Sequence, residues 1–227
     1  ICHANADLPR LISDQVIEYF RRNHSAYHRE VSPNDGDVFC QCEPCQHLGT
    51  DTDQLLHMLN QVAQIVSKKY PDKHITFYAY MNVIDPPTPG VACHPMLVPN
   101  IAHYNPRSFH YGLPIGHPEA IKTAARDFEA IIRGWKAVCS KVAIREYGHL
   151  WAMGEWPYAR PVAENTAYYS RHAVSVNYAD CLGISSMGQL AWYLAAKKAW
   201  DPELDTDELL AYFFQKHYGP AAASMHE

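Results

Sequence analysis

Stretches of helical apolar spacing alternate along the chain with short runs rich in β-branched and aromatic residues. The helical pattern is clearest over residues 52–69, where apolar side chains recur every three or four positions and Asp51 or Thr52 is placed to cap the helix. The clearest strand pattern is HITFYAYMNVI, residues 74–84, which ends at a double proline. Because the two patterns alternate repeatedly, the sequence predicts βαβ units and a parallel sheet.

The remaining elements follow from the same two patterns. Helices are predicted over residues 8–23, 117–137, 160–178, 189–199 and 206–217, the last with Asp205 and Glu208 as a capping box. Strands are predicted at residues 28–33, 95–104, 141–147 and 181–187, and residues 1–7 resemble the tail of another strand. The absence of a glycine-rich phosphate loop after these strands disfavours dinucleotide-binding and P-loop folds. The expected fold is α/β, a partial (β/α)8 TIM-type barrel that supplies roughly strands 3 to 8.

Length, composition and charge narrow this picture. The chain has 227 residues, 48% of them hydrophobic, which is enough for a large core in one domain over residues 1–227. A net charge of −5, without a cluster of Lys and Arg, argues against a nucleic-acid partner. No apolar run approaches the roughly 18 residues of a membrane span. The start at Ile1, without Met, indicates a fragment of a longer protein.

Polar and aromatic side chains gather after four of the predicted strands. In a parallel barrel the carboxyl ends of the strands form the active site, so these residues are expected to meet there. In chain order they are Asn34 and Asp35, then Tyr80, then His103 and Tyr104, then Glu146 and Tyr147, followed in the next loop by Trp151.

Two of these residues are carboxylates suited to acid–base chemistry. Asp35 can act as a general acid or hold a substrate group, but its neighbours Pro33, Asn34 and Gly36 also form a strong turn sequence. Glu146 follows apolar residues at alternate positions, so it shares their face of the strand and needs a partner. The competing interpretation for Glu146 is a buried ion pair with Arg145 or another arginine.

The aromatic and histidine side chains are candidates for substrate binding. Tyr80, Tyr104 and Tyr147 have hydroxyls suited to positioning a sugar, although a single tyrosine is more often a core residue. Trp151 lies in a loop rich in glycine and proline, where an aromatic ring can stack on a sugar. For His103 a hydrogen-bonding role is favoured over metal ligation, because no helical histidine pair is present.

Three cysteines, Cys40, Cys42 and Cys45, form a C-x-C-x-x-C cluster, and His47 follows. Recognised zinc patterns need four ligands, and Cys2 is the other cysteine near a predicted strand end. Three interpretations stay open at this stage: a disulfide from Cys2 into the cluster, a zinc site of four cysteines or of three cysteines and a histidine, and free thiols. A structural role is favoured over catalysis, since a nucleophilic cysteine requires one distinguished thiol with a paired base.

Four blocks of sequence, taken in order, resemble one bacterial family. They are VSPNDGDVFCQCEPCQ, VSKKYPDKHITFYAY, IREYGHLW and AWDPELDTDELLAYFFQKHYGPAA. The chain resembles the domain of unknown function 4838, which was later classed as glycoside hydrolase family 163, with endo-β-N-acetylglucosaminidase activity on complex N-glycans. The SPNDG block with its cysteines is the most specific part, and the likeness covers nearly the whole chain.

The resemblance implies a cofactor-free barrel glycosidase in a periplasmic or extracellular protein, with a glycan carrying an N-acetylhexosamine as substrate. Related clans place an acid/base at the end of strand 4 and a second carboxylate at the end of strand 7. These positions correspond to Asp35 and Glu146. Enzymes assisted by the substrate acetamide often carry adjacent Asp and Glu, whereas this chain has Asn34 before Asp35. The alternative function is a carbohydrate-binding barrel without catalysis.

Overall fold

A computed structural model describes residues 1–34, 38–103, 128–147, 159–179 and 186–226. The strands are β1 (His28–Glu30), β2 (His74–Ala79), β3 (Leu97–His103), β4 (Ala143–Tyr147) and β5 (Ser175–Ala179). The helices are α1 (Leu8–Arg22), α2 (Glu43–Gln46), α3 (Asp51–Val66), α4 (Phe128–Val138), α5 (Ala159–His172), α6 (Ser186–Trp200), α7 (Thr206–Tyr218) and α8 (Ala222–His226). Short 3₁₀ helices occupy Met81–Val83 and Gly219–Ala221.

The described strands are neighbours in chain order, from β1 to β5. β1 and β2 are parallel, with His28 opposite His74. β2 and β3 are also parallel, with Ile75 opposite Leu97. Parallel neighbours require crossover connections, and helices separate the strands in the sequence. This alternation confirms the expected α/β class and the partial TIM-type barrel.

Contacts divide the chain into two compact units, residues 1–104 with 130–144 and residues 105–129 with 145–227. In the first unit, alternate residues of β2 are fully buried, and one of them, Phe77, packs edge-on against Trp135 of α4 with ring centroids 5.8 Å apart. The Trp135 indole Nε1–H donates a hydrogen bond of 2.8 Å to the carbonyl of Ile84. α4 therefore covers this face of β2.

The second unit has its own apolar core, which is built between helices α5, α6 and α7. Its buried members include Val162 of α5, Leu194 of α6 and Leu209 of α7. α7 begins at the predicted position with Asp205 as its N-cap, because the Asp205 carboxylate accepts a hydrogen bond of 2.9 Å from the Glu208 backbone N–H. Only this half of the predicted capping box is formed. Among the described helices of both units, none is long and apolar enough to cross a membrane.

The strand predicted over residues 74–84 is shorter in the structure. β2 ends at Ala79, and Met81 has a φ of 51°, in the left-handed region that non-glycine residues rarely adopt. The chain turns there into a 3₁₀ helix. Val83 and Ile84 are buried within this turn, so the apolar pattern continues past the end of the strand. A run of buried residues alone cannot distinguish the two conformations.

The helix predicted over residues 160–178 was too long, because its last residues form a strand. α5 ends at His172, and β5 occupies Ser175–Ala179, where Val176 and Tyr178 are less exposed than Ser175 and Asn177. This period of two is typical of a strand. The strand predicted at 181–187 is not supported, because Ser186 and Met187 already belong to α6 and residues 181–185 lie outside the described ranges.

Smaller differences concern helix α3 and the first residues. The N-cap of α3 is Thr50 rather than Asp51 or Thr52, because the Thr50 hydroxyl and the Asp53 carboxylate form a reciprocal capping box. Residues 1–7 form turns rather than the tail of a strand. The predicted helices at 8–23 and 206–217 and the strands at 95–104 and 141–147 are confirmed, with small shifts of their ends.

Candidate functional site

Asn34 follows β1 at the carboxyl edge of the sheet. The Val31 N–H donates to the Thr76 carbonyl at 2.8 Å, and the Tyr78 N–H donates to the Ser32 hydroxyl at 3.0 Å. These bonds continue the pairing with β2 beyond the end of β1. Asn34 is exposed just past this anchored segment. Asp35, the predicted acid, lies outside the described residues.

Tyr80 immediately precedes a turn that is fixed to the start of α3. The Asn82 side-chain amide donates to the Asp51 carboxylate at 2.6 Å, and the Thr52 hydroxyl donates to the Asp85 carbonyl at 3.0 Å. Tyr80, which is half-buried, therefore lies between the end of β2 and a turn that these two hydrogen bonds hold in place. The position predicted for Tyr80, at the carboxyl end of a strand, is confirmed.

Asp53 supplies the third connection between the turn and α3. Its side chain accepts hydrogen bonds from the Thr88 N–H at 2.9 Å, the Thr50 N–H at 2.9 Å and the Thr50 hydroxyl at 2.8 Å. Burial acts to raise the pKa of Asp53, but the hydrogen bonds from Thr88 and Thr50 outweigh it and hold the pKa below its usual value. Asp53 is therefore a structural carboxylate.

β3 places His103 and Asn100 on opposite faces of the sheet. Side chains alternate along a strand, so His103 shares a face with Leu97 and Ile101, which pair with β2 residues on the face covered by Trp135. His103 is 5% exposed. It lies at the strand end as predicted, but the alternation directs it to the helix-covered face. In a barrel the helices cover the outer face of the sheet, so the opposite face is the interior one.

Asn100, which was not predicted as a site residue, lies on that opposite face. It pairs in register with Tyr78, it is 7% exposed, and its side-chain oxygen Oδ1 has no hydrogen-bond partner among the described residues. An unpaired buried amide oxygen costs free energy, so it is a candidate acceptor for a ligand hydroxyl. The signal in the sequence was a lone asparagine inside the apolar run LVPNIAH.

Glu146, in the second unit, is a buried carboxylate near the end of β4. It is 1% exposed, and the Tyr169 hydroxyl of α5 donates a hydrogen bond of 2.6 Å to its Oε2 atom. Tyr169 is fully buried and packs edge-on against Phe128 with ring centroids 6.4 Å apart. The expectation that Glu146 shares the buried face and has a partner is confirmed. Tyr169 was missed, because no local pattern links a tyrosine on a helix to a carboxylate 23 residues earlier.

The other predicted site residues are only partly described. Tyr147 is the last residue of β4. Tyr104 and Trp151 lie outside the described residues. The structure thus brings Asn34 and Tyr80 to the carboxyl ends of adjacent parallel strands of the first unit. In the second unit, Glu146 directly precedes the last residue of β4.

Four cysteines of the first unit converge on one point. The Cys2 sulfur lies 3.7 Å from that of Cys42 and 3.6 Å from that of Cys45, and the Cys40 and Cys42 sulfurs are 3.4 Å apart. All four Sγ atoms lie within 4.8 Å of one another. Cys2, which the sequence offered only as one option, is therefore part of the cluster. His47 is not among the converging ligands; its ring Nδ1 lies 2.8 Å from the Glu43 carbonyl.

One backbone amide bonds to a sulfur of this cluster: the Ala4 N–H donates to the Cys45 sulfur at 3.4 Å. The Cys42 backbone, followed by the Cys42 thiol, lowers the pKa of the Cys40 thiol to about 7. Burial raises the pKa of the Cys45 thiol. The next residue after Cys2, His3, stacks on Phe39 with ring centroids 4.9 Å apart, and both are buried.

The family model described as "Domain of unknown function (DUF4838)" matches residues 1–227. The chain belongs to this family. Among solved structures, this DUF4838 chain is similar to the catalytic domain of a hyperthermophilic chitinase from Pyrococcus furiosus, with a TM-score of 0.39 and 12% identity. The match covers 77% of this chain and 55% of that chain, and a likeness this low carries no argument about the reaction. No curated protein matches the chain.

Proposed function

We propose that this DUF4838 chain is the barrel portion of a glycoside hydrolase that acts on N-acetylhexosamine-containing glycans, like an endo-β-N-acetylglucosaminidase. The observation that carries the proposal is the buried Glu146 carboxylate near the end of β4, held by the Tyr169 hydroxyl. Removing a carboxylate from water costs free energy, and barrel enzymes place such groups at the carboxyl ends of their strands for catalysis.

The chemistry requires two carboxyl groups or one carboxyl group and the substrate acetamide. In the retaining reaction, one acid protonates the leaving glycosidic oxygen while a nucleophile attacks the anomeric carbon, and water then completes hydrolysis. We assign to Asp35 the role of the acid or of the group that orients the acetamide. We assign to Glu146 the role of the second carboxyl group. Because Asn34 precedes Asp35, its exposed amide is the proposed contact to the acetamide group.

The sugar-binding surface is proposed from the residues after neighbouring strands. It comprises Tyr80, Tyr104, Tyr147 and Trp151, with Asn100 as an added acceptor. His103, which the sequence analysis included, is left out because it lies on the helix-covered face of β3. Tyrosine hydroxyls orient sugar hydroxyls, and an exposed tryptophan ring stacks on a sugar face. The resemblance of the four sequence blocks to glycoside hydrolase family 163 is the support for a glycan substrate and a periplasmic or extracellular location.

The proposal is tested in the natural protein that carries this chain. A panel of N-glycans and N-acetylhexosamine oligomers is incubated with the protein, and released products are followed by mass. We expect Glu146→Gln and Asp35→Asn each to lower kcat by about 10²-fold or more, because each removes a carboxyl group used in the transition state. Glycan binding, measured by calorimetry, should survive in both variants.

Exposed carboxylates provide the matched controls. Glu43→Gln and Asp72→Asn alter exposed residues of the same types and should leave turnover unchanged. Near-normal turnover in both Glu146→Gln and Asp35→Asn would overturn the assignment. Tight binding without turnover by the unmodified protein, across the whole panel, would instead favour the carbohydrate-binding barrel.

A further inference from the structure

The four converging cysteines point to a metal site. We propose that the thiolates of Cys2, Cys40, Cys42 and Cys45 bind one structural Zn²⁺ ion in tetrahedral geometry. Two of these residues, Cys40 and Cys42, lie at or near the surface, and Cys45 is fully buried. The site does not depend on the proposed hydrolase function, because none of its ligands belongs to the proposed catalytic set.

The sulfur separations fit zinc better than disulfides. A tetrahedral site with Zn–S bonds of about 2.3 Å has sulfur–sulfur edges of roughly 3.8 Å. Three of the six separations here are 3.4, 3.6 and 3.7 Å, and the other three are at most 4.8 Å. A disulfide needs about 2.05 Å, and two disulfides would divide the four sulfurs into two close pairs. Instead Cys2 is nearly equidistant from Cys42 and Cys45, as expected for sulfurs that share one central ion.

The number and type of ligands also indicate which metal the site would bind. Four thiolates make a closed site without a position for water or substrate, which is typical of structural rather than catalytic zinc. An iron–sulfur cluster also uses four cysteines, but its inorganic sulfides would hold the thiolates further apart than these sulfurs lie. Calcium and magnesium are excluded by their preference for oxygen ligands.

The backbone beside the buried sulfur suits a negative charge. The Ala4 N–H donates a hydrogen bond of 3.4 Å to the Cys45 sulfur. A hydrogen bond of this kind favours a thiolate over a thiol. A thiolate at the buried Cys45 needs a cation beside it, and Zn²⁺ supplies that charge.

The proposed ion would join two segments that are 38 residues apart at their closest in sequence, Cys2 and Cys40. The stacked rings of His3 and Phe39 pack beside the same junction. Zinc would therefore fix residues 38–50, which precede α3 and include α2. Metal binding is coupled to folding in such sites, so removal of the ion should loosen this segment.

The first test is the metal content of the natural protein, purified without chelator and measured by inductively coupled plasma mass spectrometry. We expect about one zinc per chain. Cys42→Ser and Cys40→Ser should each reduce it to about one tenth or less, since three thiolates leave the site open. Cys93→Ser is the matched control, because Cys93 lies outside the cluster and should retain the zinc.

A second measurement does not require the variants to fold. Replacement of the metal by Co²⁺ in the unmodified protein should give the intense visible absorption of a tetrahedral tetrathiolate site. Denaturation with chelator should release one zinc and make the four cluster thiols available to titration, in addition to those of Cys93, Cys139 and Cys181. Each of three results would overturn the proposal. They are iron in place of zinc, zinc retained by both serine variants, and cluster thiols already joined in disulfides in the protein as purified.

Discussion

Asp53→Ala removes a buried side chain that connects the start of α3 to the turn after β2. The Asp53 side chain is the acceptor of three hydrogen bonds, two of them from the backbone N–H groups of Thr50 and Thr88. Asp53 is 2% exposed, so water cannot simply replace the carboxylate. The substitution therefore leaves two backbone donors without their acceptor.

The expected loss of unfolding free energy follows from these three hydrogen bonds. A hydrogen bond to a charged group contributes about 1.5–3 kcal/mol, and the three bonds share one carboxylate, so their contributions do not add fully. We expect the free energy of unfolding to fall by about 3 kcal/mol. For a protein of this size, 1 kcal/mol shifts Tm by about 2–4 °C, so the expected fall is about 6–12 °C.

The assay is thermal unfolding of the natural protein and its variant, followed by circular dichroism. Asp72→Ala is the control, because Asp72 is exposed and its loss should shift Tm by less than about 2 °C. Asp53→Asn keeps one oxygen and should fall between the two. If Asp53→Ala melts within about 2 °C of the unmodified protein, the three hydrogen bonds do not stabilise the turn and the reasoning fails.

The same residue predicts a pH dependence. The pKa of Asp53 in the folded protein is below its usual value, so the ionised form stabilises the fold. This contribution is complete above the unfolded-state pKa of about 4 and is lost as the pH falls through the folded-state pKa. The Tm difference between the unmodified protein and Asp53→Ala should therefore be constant from about pH 6 to 8 and shrink below about pH 4.

Two further substitutions test buried contacts. Tyr169→Phe removes the hydroxyl that donates to Glu146, so the free energy of unfolding should fall by about 1–3 kcal/mol, and turnover should fall less than in Glu146→Gln. Trp135→Phe removes the bond to the Ile84 carbonyl and leaves a void beside β2, so we expect a loss of about 2–4 kcal/mol by chemical denaturation.

Exposed aromatic residues are the controls for both substitutions. Tyr212 is 52% exposed and Trp200 is 90% exposed, so Tyr212→Phe and Trp200→Phe should change stability by less than about 0.5 kcal/mol. If Tyr169→Phe is as stable as Tyr212→Phe, the Glu146 carboxylate is satisfied without the tyrosine. If Trp135→Phe costs no more than Trp200→Phe, packing against Phe77 does not support β2.

Periodic segments were predictable because burial alone determines their pattern. Helices α1, α3 and α7 each bury one face, so their apolar residues recur at helical spacing in the sequence. The end of β2 was not predictable, because Val83 and Ile84 are buried in a turn and look like strand residues. β5 was missed because its alternation spans few residues and directly follows α5.

Prediction from the sequence was limited in the same way for the residues of the candidate site. Asn34, Tyr80 and Glu146 were placed at strand ends by the regular order of strands and turns. Tyr169 was missed because it lies on a helix and its partner Glu146 lies on a strand. Asn100 was missed because it lies inside an apolar strand. The approach of Cys2 to the C-x-C-x-x-C motif also required the fold, since spacing alone does not reveal a contact across 38 to 43 residues.

The most direct test of the account is hydrolysis in water enriched in ¹⁸O, with a complex N-glycan as substrate and mass spectrometry of the products. Hydrolysis transfers one oxygen from water to the anomeric carbon of the released sugar, which adds about 2 Da at its reducing end. We predict this label with the natural protein and a product yield lowered by about 10²-fold or more with Glu146→Gln. An intact glycan that is bound but never cleaved, or equal labelled product from the Glu146→Gln variant, would contradict the account.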